Sequence, residues 1–331
     1  MGGKFILALT GGKGLHYIHI QLLEFWQGRE GVPEFPVRLG VHVSIAGGFE
    51  EAVSRARNLG CSAMQIFSRN PRGWKTSPLS SRAIAVFRET VARREFDPIV
   101  VHTPYLLNLA SADESLHRQS ILALALDVKR AEQLGARYVV THLGSAKESG
   151  RAFGLRRVVK ALKIVTVRDS LVSILLENSA GAGNSIGTGF AELREIIERV
   201  GKNGRVGVCF DSCHGYAAGY DFRSVEAAEA LVKEMDQTIG SQRLALLHLN
   251  DCAGSLGSHL DRHQHIGKGK IGLAGFRSLL LHPSLRRVPM ILETPKKSPQ
   301  DDLKNLSRIR NLFRKGPGRW GEGGNRAQNF P

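Results

Sequence analysis

Residues 98–142 read PIVVHTPYLLNLASADESLHRQSILALALDVKRAEQLGARYVVTH. Two short apolar runs, PIVVH and YVVTH, are rich in β-branched residues, and each ends on a histidine. Between them lies a segment with helical spacing of apolar residues, and the order strand, helix, strand is that of a parallel βαβ unit. Ser111-Ala112-Asp113-Glu114 reads as the capping box that opens the helix, with Ser111 as the cap, and Gly135 sits where a left-handed residue ends it. Working outward, the same unit recurs. The runs RLGVHV, AMQIF, PIVVH, YVVTH, SILLE, VGVCFD, LALLHLN and PMILE end near His42, Phe67, His102, His142, Glu177, Asp211, His248 and Glu293, and successive ends lie 25 to 45 residues apart. Gly60, Gly201 and Gly240 close further amphipathic runs. Eight strands alternating with helices over this length predict an α/β fold, a single (β/α)8 TIM barrel. An open doubly wound sheet is the alternative; Gly181-Ala182-Gly183 and Gly187 to Gly189 follow a strand, but without the GxGxxG spacing of a dinucleotide fold.

The composition bounds what this barrel does. Of 331 residues 42% are apolar, and 46 Lys and Arg against 30 Asp and Glu leave a formal charge of +16. That is a globular chain large enough to bury a core unaided, neither disordered nor collagen-like, and its charge attracts polyanions such as nucleic acid or an anionic membrane surface. No run nears the roughly 20 apolar residues of a membrane span, and MGGKFILALTGGKG is too short and glycine-broken for a signal peptide. Four cysteines without a CxxC pair do not form a secreted disulfide framework, so reduced thiols and a cytoplasmic location are expected. Both ends differ from the middle. Residues 1–36 form an N-terminal extension without clear periodicity, residues 37–313 the barrel, and residues 314–331 a basic tail expected to be disordered.

Six strand ends carry a residue able to bind metal: His102, His142, Glu177, Asp211, His248 and Glu293. In a barrel these ends surround one mouth, so positions spread along the chain converge there. Three more candidates lie in loops at that mouth, His214 three residues after Asp211, and the pair Asp261-x-His263. A lone strand-end histidine is ordinarily structural, but six such ends together are not accidental. Carboxylates at the ends of apolar strands are costly to bury without a cation, and the surrounding sequence offers no Lys or Arg. Five imidazoles and four carboxylates exceed what one tetrahedral zinc uses, so two or three metals are implied. The ligand set favours Zn²⁺ and tolerates Mn²⁺ or Fe²⁺, and Cys209 and Cys213, which flank Asp211, are read as structural. Closely spaced metals suit displacement at phosphorus, which in a basic protein points to a phosphodiester.

The strings GVHVSIAGG (40–48), HTPYLLNLAS (102–111), LLENSAGAG (175–183), VGVCFDSCHGYAAGYD (206–221), LLHLND (246–251), DRHQHIGKGKIG (261–272) and ILET (291–294) resemble endonuclease IV, the trinuclear-zinc apurinic/apyrimidinic endonuclease family. The resemblance runs from about Val37 to Thr294. It implies one zinc on His102, His142 and Glu177, with Glu177 bridging to a second also held by Asp211, His248 and Glu293, and a third on His214, Asp261 and His263. It also implies Glu177 and Glu293 as catalytic residues and double-stranded DNA with abasic sites as the partner of a monomer. Hydroxide attack on the phosphate 5′ to the abasic site would leave a 3′-hydroxyl and a 5′-deoxyribose phosphate, with 3′-blocking groups as a further substrate. By the same resemblance Arg72 enters the base stack while Tyr105 and Leu106 fill the gap left by the extruded nucleotide. An exposed arginine in such a loop is otherwise simply solvated, and Tyr105 or Leu106 could cap the barrel. Pro71 departs from the polar residue of some family members and Leu143, after His142, from the proline frequent there; neither touches a proposed ligand, so the departures bear only on the detail of DNA distortion. His42 is read either as support for a ligand carboxylate or as a satisfied core histidine. The competing enzyme class is the metal-dependent sugar isomerases and epimerases of the same barrel, which have no use for the His214, Asp261 and His263 trio.

Overall fold

The computed structural model describes residues 37–314 apart from 167–169, 202–204 and 299. The N-terminal extension and the tail from residue 315 lie outside the described residues, and so do the readings made for them.

The eight apolar runs become the strands of a closed parallel barrel: β1 (Leu39–His42), β2 (Ala63–Phe67), β3 (Ile99–His102), β4 (Tyr138–Thr141), β5 (Ser173–Glu177), β6 (Val206–Asp211), β7 (Leu244–His248) and, after a hairpin of β8 (Asp251–Cys252) and β9 (His263–Gln264), β10 (Met290–Leu292). Each strand pairs with its neighbours in sequence, and β10 lies between β7 and β1, so the sheet has no edge and the open-sheet alternative is excluded. The helices between strands are α1 (Phe49–Asn58), α2 (Ser81–Arg93), α3 (Glu114–Leu134), α4 (Arg151–Thr166), α5 (Phe190–Val200), the short α6 (Ser212–Ala218), α7 (Val225–Thr238), α8 (Gly272–Leu281) and α9 (Asp301–Arg314). No described helix is long and apolar enough to cross a membrane.

Local sequence sets the boundaries. In α5 Leu193, Ile196 and Ile197 fall on one face at three- and four-residue spacing and are buried, while Glu195 and Arg199 pair on the outside at 2.9 Å. Ser80 and Ser224 cap α2 and α7 by accepting from the amides of Ala83 and Ala227. The cap of α3 is corrected by two residues: Asp113, not Ser111, accepts from the Leu116 amide at 2.7 Å, and Ser111 instead accepts from the Asp113 amide. The carboxylate wins because it reaches the amide while carrying a charge that the helix N-terminus favours. Gly135 ends this helix at φ 72°, a conformation that costs a Cβ-bearing residue.

Alternation along the strands decides what faces inward. Ala63, Val100, Val140, Leu175, Cys209, Leu246 and Ile291 form a small, fully buried apolar cluster, one residue from each of seven strands. On β1 the equivalent place is Gly40, where a Cβ would lie 1.9 Å from the Ala63 carbonyl oxygen, so only glycine lets β1 and β2 pair there. Residues one position on, such as Val41, Val101, Phe210 and Leu292, pack outward with the helices in the main core. Two positions on from the inner cluster, side chains again face the axis. Those positions are His42, Gln65, His102, His142, Glu177, Asp211, His248 and Glu293, so a plug of small apolar residues supports a complete polar ring at the C-terminal mouth.

Candidate metal centre

The polar ring and the loops above it bring all nine expected ligands together. His102, His142 and Glu177 present ligand atoms within 4.8 Å of one another, and so do Glu177, Asp211, His248 and Glu293. The Glu177 carboxylate joins the two groups: Oε2 lies 3.1 Å from His102 Nε2 and 3.5 Å from His142 Nε2, and Oε1 lies 2.9 Å from His248 Nδ1. Glu293 Oε2 is 3.3 Å from the same His248 nitrogen. In the third group His214 Nε2 is 3.1 Å from Asp261 Oδ1 and 3.4 Å from His263 Nε2, which is in turn 3.6 Å from Asp261. Asp211 Oδ2 approaches His263 at 3.8 Å, tying the third group to the second.

These separations fit a metal. Four N or O ligands arranged tetrahedrally around zinc at its ordinary bond lengths stand about 3.4 Å apart. The outer nitrogens add a chemical argument. His102 Nδ1 faces the Thr103 carbonyl at 2.7 Å, His214 Nδ1 the Asn178 carbonyl at 3.0 Å, and His263 Nδ1 the Glu293 carbonyl at 3.1 Å. A carbonyl only accepts, so each outer nitrogen holds the proton and each inner Nε2 is a lone pair turned towards other acceptors. His214 and His263 thus turn their inner nitrogens towards one another, an arrangement that calls for a proton or a metal cation between them.

The carboxylates are equally constrained. Asp211 caps α6 through the His214 amide at 2.9 Å and takes Asn250 Nδ2 at 2.6 Å, while Asn178 Oδ1 holds the Asp211 amide. The β8–β9 hairpin delivers Asp261 and His263 over the mouth, and the buried Asp251 side chain anchors its base by accepting from the amides of Gly269 and Ile271 at 3.0 Å each. His42 Nδ1 lies 3.2 Å from Glu293 Oε1.

Burial pushes Glu177 and Glu293 up, but the facing imidazoles outweigh it, His142 and His248 at Glu177 and His248 and His42 at Glu293, and hold both well below the usual carboxylate range. Burial likewise pushes His214 down, yet the Asp211 charge and the Asp261 hydrogen bond raise it to about 10 from 6.5. These signs predict how the protein responds once a chelator has removed any metal. The raised His214 contributes stability that is complete below about pH 6.5 and is lost as pH rises towards about 10. The depressed carboxylates contribute above about pH 4.5 and lose it as pH falls further. Thermal unfolding across this range should show the alkaline loss in chelated protein and not in zinc-loaded protein, where the ion replaces the proton. Parallel profiles would contradict the assignment of His214 to a metal.

Sequence reading missed two groups. Gln65, fully buried in the polar ring, donates from Nε2 to Glu293 Oε1 at 2.5 Å and accepts at Oε1 from His248 Nε2 at 2.9 Å. Its alternation with Ala63 was the available signal, obscured because the run continues to Phe67. The second group lies behind the loop that follows β2. Arg69 makes a bidentate pair with Asp127 of α3 at 3.1 and 3.0 Å and donates to the Gly73 carbonyl, and Arg130 donates to the Ser68 and Ser77 carbonyls. That loop presents Arg72, which is exposed and whose amide donates to Asn70 Oδ1. On the neighbouring loop after β3, Tyr105 is 68% exposed and meets Phe67 edge-on at 5.3 Å, and Leu106 beside it is half-buried.

Known proteins resemble this chain in sequence and in fold. A family model described as a xylose isomerase-like TIM barrel matches residues 53–315. A probable endonuclease 4 of Methanoculleus marisnigri is 46% identical over 278 residues, covering 83% of this chain and 99% of the relative. The crystal structure of endonuclease IV from Thermus thermophilus superposes with a TM-score of 0.75 at 38% identity, covering 84% of this chain and 99% of that one. A D-tagatose 3-epimerase-like protein, at 22% identity and a TM-score of 0.65 over 83% of this chain and 97% of its own, shares the fold alone.

Proposed function

The chain belongs to the endonuclease IV family, and from that premise we propose that it is a DNA-repair endonuclease. It cleaves the phosphodiester bond 5′ to an abasic site in double-stranded DNA, leaving a 3′-hydroxyl and a 5′-deoxyribose phosphate, and the same mouth serves 3′-blocked ends. Three zinc ions are its resident metals, the first on His102, His142 and Glu177, the second on Glu177, Asp211, His248 and Glu293, and the third on His214, Asp261 and His263. The observation that carries the reading is the third group. A sugar isomerase or epimerase of the same barrel would need the strand-end ring but not His214, Asp261 and His263 drawn within 3.6 Å of one another above it.

When bound, the metals supply water acidic enough to attack at neutral pH and positive charge for the phosphate and the departing oxygen. The protein's own residues do the rest. Glu177 and Glu293 stay ionised because imidazoles face them, and main-chain carbonyls hold the outer-nitrogen protons of His102 and His214, so that a metal has only the inner nitrogen to claim. A duplex cannot present its backbone to this recess without displacing a nucleotide. Exposed Arg72 enters that gap and Tyr105 with Leu106 fills it, from the loops after β2 and β3, and the +16 charge of the chain favours association with DNA.

The test is a duplex with one abasic-site analogue, incubated with the protein in buffer free of magnesium. A nick with a polymerase-extendable 3′-hydroxyl, lost on chelation and restored by zinc, is expected; no cleavage by folded, metal-containing protein would overturn the reading. In the same assay Arg72→Ala should narrow the preference for abasic over intact duplex by about five- to a hundredfold, matching the roughly 1–3 kcal/mol of a side chain stacked on a base. Unchanged preference would return Arg72 to an ordinary solvated arginine.

A further inference from the structure

A histidine binds a cation through an unprotonated nitrogen, and a neutral imidazole offers one only when its other nitrogen keeps the proton. For His102, His214 and His263 main-chain carbonyls settle which nitrogen that is, and no side-chain substitution removes a carbonyl. His248 is turned the other way round. Its Nδ1 faces inward to Glu177 and Glu293 at 2.9 and 3.3 Å, and its Nε2 points at the side chain of Gln65.

A primary amide can offer either its oxygen or its NH₂ to an imidazole nitrogen, so the orientation of Gln65 determines the proton on His248. That orientation is fixed by a third residue. The Glu293 carboxylate only accepts, and the Gln65 nitrogen lies 2.5 Å from Glu293 Oε1, so the amide must turn its NH₂ to it. The amide oxygen is thereby directed at His248 Nε2, which must donate. Gln65 and His248 are fully buried and the Glu293 side chain is only 15% exposed, so little solvent competes for these groups.

We propose that Gln65 is a positioning residue of the metal centre: it holds His248 in the Nε2–H form and so turns the Nδ1 lone pair onto the ion that Glu177, Asp211 and Glu293 share. The proposal rests on the metal-binding part of the function above and is independent of its nuclease part. It makes the second metal site differ from the third, because its imidazole depends on one replaceable side chain, and that side chain also orients Glu293.

Gln65→Met keeps volume and shape while removing both the acceptor and the donor. In zinc-loaded full-length protein, titration with a competing chelator should show one zinc held about 10- to 100-fold more weakly than in wild type, with the remaining zinc unaffected. Long-range ¹⁵N NMR of histidine-labelled, zinc-loaded wild type should show His248, assigned by its loss in His248→Ala, with Nε2 protonated. His102, His214 and His263 should be protonated on Nδ1. A role in packing alone would move neither readout. Folded Gln65→Met with wild-type zinc affinity would overturn the proposal, and where that variant does not fold, a wild-type His248 carrying its proton on Nδ1 would overturn it equally. Protein that takes up zinc yet cuts no abasic DNA removes the nuclease reading and leaves Gln65 in place; active protein whose Gln65→Met variant binds zinc normally removes Gln65 alone.

Discussion

Glu293→Gln should lower the single-turnover rate of cutting at an abasic site by about a hundred- to ten-thousandfold, the span seen when a group acting on the reacting atoms is disabled. The glutamate sits where four interactions meet. Oε2 lies 3.3 Å from His248 Nδ1, Oε1 takes the Gln65 amide and lies 3.2 Å from His42 Nδ1, and the main-chain amide donates to Asn250 Oδ1. An amide of the same shape removes a negative charge from the centre. Either its NH₂ faces the Gln65 NH₂, or it turns and offers hydrogens to the His248 lone pair in place of a cation. The loops bearing Arg72, Tyr105 and Leu106 are other segments of chain, so affinity for uncut abasic duplex should change little. Loss of rate with retained binding is the mark of an interaction made at the reacting centre. Near-normal turnover would remove Glu293 from that centre.

The largest effect on stability should come from Asp127→Ala. Asp127 and Arg69 are both buried, and burial pushes the Asp127 carboxyl up even with Arg69 and Ser68 bonded to it, so desolvation offsets much of what the pair gains. Such a pair adds little over an apolar replacement, but removing one member strands the other charge, at a cost of roughly 3–5 kcal/mol. Chemical unfolding should show that loss at the first transition. The double variant Asp127→Leu with Arg69→Met should regain most of it, because it buries no orphan charge. A loss under about 1 kcal/mol for Asp127→Ala would mean that water reaches Arg69. Since Arg69 also holds the Gly73 carbonyl, the single variant should loosen the loop carrying Arg72 and reduce abasic preference along with stability.

Much of the centre was legible because barrel geometry converts a linear pattern into a spatial one. His102, Glu177 and Asp211 each end an apolar run, and eight parallel strands in sequence order bring such ends to one mouth. The helix starts were less legible. Ser111 and Asp113 both satisfy the chemistry of a cap, and only the path of the chain out of β3 placed the carboxylate against the Leu116 amide. Gln65 and Asp127 escaped for a different reason. Each is a polar residue inside an apolar stretch, and its meaning lies in partners 183 and 58 positions distant, His248 and Arg69.

The sequence by itself determined the number, order and direction of the strands and the residue types at their ends, because apolar runs and βαβ connection are local rules. Only the tertiary structure decided which nitrogen of each imidazole faces inward, which carboxylate joins two groups, and which buried side chains hold the ligands in place. Those outcomes depend on distances of about 3 Å between atoms from different strands, and hydrogen-bond direction at that range is set by packing, to which no local pattern in the chain has access.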